Sequence, residues 1–317
     1  MSTTHVSANA TRAIRRILVA VDASPESARA VAYVRHLSPP GARIRVVSVA
    51  ENPRTILPLG SMTDAELQRA RAELARDAGE AVARAKQLFA DAGVDVESGV
   101  VEISRQGGYI ANALIDAAAQ WQADLLVVGA RQHHGMLRWV EGTVSEFVTT
   151  QAPCSILVVP AGYEAQIQSS PRRILFALDG SAASFDALHF GLQLASPVSR
   201  LRAIYVIDRA VRLTDIVPIR MLEEAFVEEG KVILATAARV LAEWPNQSET
   251  AAIETAPARD DVAHAIVRDA QQWQADLIVV GTHGRRGVAR WVLGSVASRT
   301  ARLARTPLLL ARPAVDK

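Results

Sequence analysis

The stretch 120–145, QWQADLLVVGARQHHGMLRWVEGTVS, recurs as 272–297, QWQADLIVVGTHGRRGVARWVLGSVA, with fifteen of twenty-six aligned positions identical. A contiguous block of that quality marks an internal repeat, and a repeat fixes domain organisation before any propensity is weighed. A second block recurs in the same order, RRILVAVDAS from Arg15 and RRILFALDGS from Arg172. Residues 15–160 and 171–314 are therefore read as two copies of one domain. A linker at 161–170 (AGYEAQIQSS) joins them, and a polar, disordered tail at 1–14 precedes them. The length of 317 residues accommodates two cores of roughly 150 residues each.

Within each copy, short β-branched runs alternate with longer helical stretches, the pattern of βαβ units around a parallel sheet. Strands are predicted at 17–21, 44–49, 94–101, 125–128 and 156–159, and again at 174–178, 201–206, 251–254, 277–280 and 308–310. Ser24-Pro25 reads as an N-cap followed by a first-turn proline, and Thr63 to Ala90 carries apolar residues at helical spacing. The fold class is α/β: two tandem, doubly wound, Rossmann-like parallel-sheet domains, with strands apolar enough to be covered on both faces.

Composition narrows the function. A net charge of +2 and an aromatic content of 5% give neither the basic surface nor the stacking rings of a nucleic-acid-binding protein. No apolar run approaches the length of a membrane span, and the N-terminal residues lack the apolar core of a signal segment, so a cytoplasmic protein is expected. The single cysteine, Cys154, precedes an apolar strand and reads as a core thiol.

In a doubly wound sheet, ligands bind beyond the carboxyl ends of the strands, where strand order reverses. In the second copy, the fourth strand runs into Gly281-Thr-His-Gly284-Arg-Arg-Gly287, and a helix begins after Gly294-Ser295. Glycine lets the backbone approach a phosphate closely, and the free N–H groups that open a helix point at the anion. Ser295 adds a hydroxyl. The loop is neither a Walker motif, since no Lys-Ser or Lys-Thr follows the glycines, nor G-x-G-x-x-G. It is similar to the universal stress protein signature G-x2-G-x9-G-[S/T], which Gly281, Gly284, Gly294 and Ser295 match in full.

That resemblance extends over both copies, including the strand-end Ala177-Leu-Asp179-Gly-Ser181 and the lead-in Ala-Asp276-Leu-Ile-Val-Val-Gly281. It implies five parallel strands per domain in the order 3-2-1-4-5, domains pairing through their final strands, and ATP, alone or with Mg²⁺, as ligand. By the same resemblance Asp179 lies beside the adenosine, Val206 and Ile207 offer backbone groups to the base, and the loop from Gly281 to Ser295 holds the phosphates. A strand-end aspartate also serves as a turn or helix cap, and either role fits Asp179. Arg285, Arg286 and Arg290 either screen phosphate charge or sit as solvated surface arginines. His283 reads as a loop residue rather than a general base.

The first copy keeps Asp22, Gly129, Gly142 and Thr143, with thirteen residues from Gly129 to Gly142 as from Gly281 to Gly294. However, Gln132 replaces the second glycine and Glu141 replaces Leu293. A side chain and a negative charge then oppose phosphate binding, so this site is expected to be weakened or lost. His133 and His134 lack accompanying ligands at metal spacing. The expected protein binds an adenine nucleotide, pairs its two halves internally, can form a homodimer, and has a regulatory role with little or no ATP hydrolysis. The alternatives are an ATP-pyrophosphatase or adenylyl-transfer enzyme on the same fold, and an interaction module without nucleotide.

Overall fold

The computed structural model describes residues 13–37, 39–56, 63–90, 94, 96–103, 109–130, 144–163, 170–209, 219–256, 260–284 and 293–313. In the first half the strands are β1 (Arg16–Ala20), β2 (Arg43–Ala50), β3 (Val96–Glu102), β4 (Leu125–Ala130) and β5 (Ser155–Pro160). The helices between them are α1 (Pro25–Leu37), α2 (Pro53–Ile56), α3 (Asp64–Ala90), α4 (Ile110–Gln120) and α5 (Val144–Gln151). The second half contributes β6 (Arg173–Leu178), α6 (Ala182–Leu192), β7 (Arg200–Ile207), α7 (Ile219–Ala242) and β8 (Ser248–Glu254). It ends with α8 (Val262–Gln272), β9 (Leu277–Gly281), α9 (Ser295–Leu303) and β10 (Leu308–Ala311). The strands form one sheet in the order β3-β2-β1-β4-β5-β10-β9-β6-β7-β8. Each half is thus parallel in the order 3-2-1-4-5, as the family resemblance implies.

The halves meet at an antiparallel pairing, where Leu308, Leu309 and Leu310 lie opposite Val158, Leu157 and Ile156. All six side chains are buried. Covering such strands is worth on the order of 2 kcal/mol per side chain and removes the aggregation hazard of two apolar edges. Beyond the pairing, Arg312 donates its N–H to Ser155 Oγ at 3.1 Å and Nη2 to the Thr150 carbonyl at 2.7 Å. Tyr33 of α1 and Tyr163 pack edge to face and donate to the Asp276 carbonyl at 3.0 and 3.3 Å. Burial, then the neighbouring Tyr163 and Asp276, holds the Tyr33 hydroxyl well above its ordinary pKa, so it stays a donor.

On one sheet face a single apolar cluster runs through both halves, including Val19, Val34 and Phe89 of the first and Phe176, Leu188 and Leu241 of the second. On the other face each half keeps its own core, around Leu126 and Val148 in one and Ile278 and Ala297 in the other. Ile14, placed in the tail from sequence, is buried in the shared cluster and donates its N–H to Gln193 Oε1 of the second half at 2.9 Å. Of the predicted tail and linker, residues 1–12 and 164–169 lie outside the described residues. β8 starts three residues earlier than its apolar run, at Ser248. It is an edge strand whose outer residues are exposed, so it has no need of apolar side chains there.

The repeated blocks meet at the amino ends of the strands. Asp124 Oδ2 accepts the N–H groups of Arg15 and Arg16, and Asp276 Oδ2 those of Arg172 and Arg173, all at 2.9 Å. Gln122 and Gln274 adopt left-handed backbone angles, φ 54° and 56°, and are the non-glycine residues with positive φ among the described residues. Each brings its side-chain oxygen to a strand arginine, Arg16 or Arg173, at 2.8 Å. The same guanidinium also reaches the Trp121 or Trp273 carbonyl. The QWQAD and RRIL blocks are therefore one clamp, built twice, that ties the amino ends of the central strands of each half, remote from the glycine loops.

Candidate functional site

Strand order reverses beside β6 and β9, so the loops leaving their carboxyl ends face one crevice. Asp179 follows β6. Its Oδ1 accepts from the N–H and Oγ of Ser181 at 3.0 and 2.6 Å, and Ser181 Oγ in turn caps α6 by accepting from the Ser184 N–H. Gly180 between them has φ +85°, which an L side chain rarely adopts. A Cβ there would also stand 2.6 Å from Ile233 Cδ1 of α7.

The glycine loop leaves β9 against this turn. A Cβ on Gly284 would lie 2.7 Å from Asp179 Oδ2, so the loop backbone and the aspartate carboxylate are in immediate contact. Gly294 closes the loop: its N–H donates to the Thr282 carbonyl at 2.8 Å, and a Cβ would meet that oxygen at 3.2 Å. Thr282 is fully buried and shares a 2.9 Å contact between its Oγ1 and His283 Nδ1. Gly294 is then the N-cap of α9, with no side-chain cap, and Ser295 is the first helical residue. The first-turn N–H groups and the positive end of the helix dipole accordingly face the crevice with no capping side chain at Gly294. Arg285 and the rest of 285–292 lie outside the described residues.

Gly281 has a different task. A Cβ there would stand 3.0 Å from the Ala183 carbonyl of α6, and one on Gly129 would stand 2.7 Å from the Glu26 carbonyl of α1. The glycine lets β9 or β4 approach the first helix of its own half, α6 or α1, so it is a packing requirement whether or not a ligand binds. Val206 and Ile207 also separate. The Ile207 carbonyl accepts from the Thr255 N–H at 3.1 Å. Alternate strand residues direct their backbone groups to opposite sides, so Val206 directs its own towards β6, which ended opposite Tyr205. Val206 therefore turns its carbonyl past the end of β6, on the crevice side, whereas Ile207 turns its own to β8.

Asp261 orients α9 from the side. It caps α8 through the His264 N–H, touches His264 Nδ1, and pairs with Arg299 Nε at 2.6 Å, one turn beyond Ser295. Partial burial pushes its carboxyl up, but the His264 bonds and the Arg299 and His264 charges outweigh this and hold it below the usual value. Sequence reasoning missed this pair and Thr255, and it placed Ser181 in the strand-end motif without assigning it a role. The Asp-x-Ser spacing is the signal that points to Ser181; nothing local pairs Asp261 with Arg299.

In the first half, Asp22 Oδ1 accepts from the Ser24 N–H, Ser24 Oγ and Ser27 Oγ, and the Asp22 N–H donates to Ser27 Oγ. Gly129 is the last residue but one of β4, while Gly142, Thr143, Gln132, Glu141, His133 and His134 lie outside the described residues. Among the described residues, no group of His, Cys, Asp or Glu side chains could hold a metal ion, and no helix is long and apolar enough to cross a membrane.

Two parallel α/β units in 3-2-1-4-5 order, each with a glycine at or next to the end of its fourth strand, define a tandem protein of the doubly wound α/β class. The universal stress protein family model matches residues 13–160 and 171–312. A universal stress protein of Mycolicibacterium smegmatis is 30% identical over 298 residues, covering 94% of this chain and 97% of that one. One from Methanocaldococcus jannaschii is 33% identical over 144 residues, covering 44% of this chain and 82% of its own. The solved structure of a universal stress protein from Archaeoglobus fulgidus shares the fold with a TM-score of 0.64 at 18% identity, covering 95% of this chain and 99% of that one. The chain belongs to the universal stress protein family.

Proposed function

We propose that the second half binds ATP, with or without Mg²⁺, and that the bound nucleotide has a regulatory role rather than serving rapid turnover. The observation that carries this reading is the α9 N-terminus, held by the Gly294–Thr282 closure beside Asp179, with Gly284 leaving no side chain between them. In this reading the phosphates take the N–H groups of the loop and of Ser295. Asp179 and the Val206 backbone serve the adenosine, Ile207 supports them through β8, and Arg285 screens phosphate charge. The helix dipole supplies about 0.3–1 kcal/mol, far below the roughly 8 kcal/mol of micromolar binding, so several N–H bonds must share the load. The first-half set of Asp22, Gly129, Gly142 and Thr143 binds weakly or not at all.

Rapid hydrolysis requires an oriented water and neutralised transition-state charge. The loop supplies no carboxylate between Gly281 and Ser295 for a metal. A cytoplasmic location and boundaries at 15–160 and 171–314 belong to the same reading. Mass spectrometry of nucleotide released from purified protein, with calorimetry of the stripped chain, tests it. ATP should bind with one site per chain and turn over well below about 1 s⁻¹. Absence of nucleotide binding leaves the interaction-module alternative, and turnover at or above that rate, lost in Gly284→Asp, makes the protein an enzyme.

A further inference from the structure

The two halves treat one arginine differently. On β7, Arg202 gives Nε and Nη2 to the two carboxylate oxygens of Asp269 on α8, at 2.9 and 3.0 Å, and Nη1 to Glu249 at 2.9 Å. Its guanidinium lies 5.9 Å from the Trp273 ring centroid. Arg45 holds the same place on β2: it pairs in register with Glu97 as Arg202 does with Glu249. Trp121 corresponds to Trp273 in the repeated block.

The acidic partner is missing. The eighth residue of α8 is Asp269, whereas the eighth residue of α4 is Ala117. Glu97 is engaged elsewhere, by Arg43 and by the Trp121 indole N–H at 3.2 Å. Arg45 is half-buried, and its Nε is buried with no hydrogen-bond partner among the described residues. Beside it, Gly99 stands where the second half has Ala251, so this edge is opened by one methyl group as well. A buried guanidinium N–H without an acceptor is costly, and a planar carboxylate is the group its fork fits best.

We propose that Arg45, flanked by Ala117, Gly99 and Trp121, is a subsite for a carboxylate supplied from outside the chain, in the position that Asp269 fills internally in the second half. The ligand is a small carboxylic acid or an acidic side chain of a partner segment. The subsite lies at the β2–β3 edge towards the amino ends of the strands, remote from the crevice, and does not rest on the nucleotide reading.

The test follows the ¹⁵N–¹H signal of the Arg45 Nε–H, assigned with Arg45→Met, in the full-length protein. Sodium acetate should shift it saturably, with half-saturation between about 1 and 100 mM, at constant ionic strength, while exposed arginines drift linearly. Ala117→Asp should place the signal near the saturated position without acetate and reduce its response at least about tenfold. A capped Gly-Glu-Gly peptide separates the sources: tighter binding than acetate points to a protein segment, equal binding to a small acid. As a check independent of titration, Arg45→Met should leave Tm nearly unchanged whereas Arg202→Met lowers it. A linear response, one that persists undiminished in Ala117→Asp, or tighter binding of inorganic phosphate than of acetate overturns the proposal.

Discussion

The two crevices start from the same scaffold and diverge at a few atoms. In the first half Asp22 is drawn into the helix turn by three donors from Ser24 and Ser27. In the second half the matching serine, Ser184, donates instead to the Ser181 carbonyl, while the Ser181 N–H and Oγ donate to Asp179. Gly180 turns left-handed where Ala23 stands, and the Asp179 carboxylate then meets the Gly284 backbone. The difference between the two halves therefore extends from the sequence of the glycine loop to the opposite wall of the crevice. A sequence comparison confined to glycine spacing underestimates it.

The largest expected effect tests that contrast. Gly284→Asp forces a carboxylate onto Asp179, and it should weaken ATP by roughly 100-fold or more, about 2.7 kcal/mol, by calorimetry. Undiminished affinity would remove the second half from the site. In the first half, Gln132→Gly with Glu141→Leu should create a second, weak site, which Ala23→Gly strengthens by permitting the turn seen at Gly180. Stoichiometry staying at one in the triple variant would show that the Ser24 and Ser27 bonds to Asp22 are the stronger block.

Next in size are the strand-end glycines. Gly129→Ala drives a methyl into the α1 backbone at 2.7 Å, and Gly281→Ala meets the α6 backbone at 3.0 Å. Both should destabilise by about 1–3 kcal/mol, with Gly129→Ala the worse, in denaturant unfolding without nucleotide. An unchanged midpoint for either would return that glycine to a purely ligand-directed role.

Acid should open α8 before α4. The Asp261 carboxyl is held below its usual 3.8 in the folded state, so its contribution is present above that value and is lost as pH falls through the lowered one. The α4 N-cap, Tyr109, has no side-chain cap to lose. Amide exchange in the first turn of each helix at pH 5 and pH 3 should show selective loss in α8. Equal loss in both would mean the Asp261 pairing does not anchor α8.

The smallest effect is a gain. Thr300 Oγ1 of α9 is buried without a hydrogen-bond partner among the described residues, and the aligned residue of α5 is the fully buried Val148. Thr300→Val should raise the unfolding free energy by up to about 1 kcal/mol, read as a higher denaturation midpoint. A loss would imply a partner for that hydroxyl.

The sequence by itself determined the repeat, the alternation of strands and helices, and the glycine-serine loop, because residue identity and hydrophobic period are local and survive without a fold. The family resemblance carried those to the strand order and to the pairing of final strands. What identity could not reveal was the purpose of the conserved-looking blocks. QWQAD and RRIL match as strongly as the loop does, yet they clamp the amino ends of the central strands, and Gly281 matches the motif while answering to a helix carbonyl. Asp179 and Gly284 touch across more than a hundred residues of chain, and Asp261 meets Arg299 only because α8 packs on α9. Such contacts depend on where backbones approach each other once both sheets and helices are in place, and that approach is set by packing rather than by the type of any single residue.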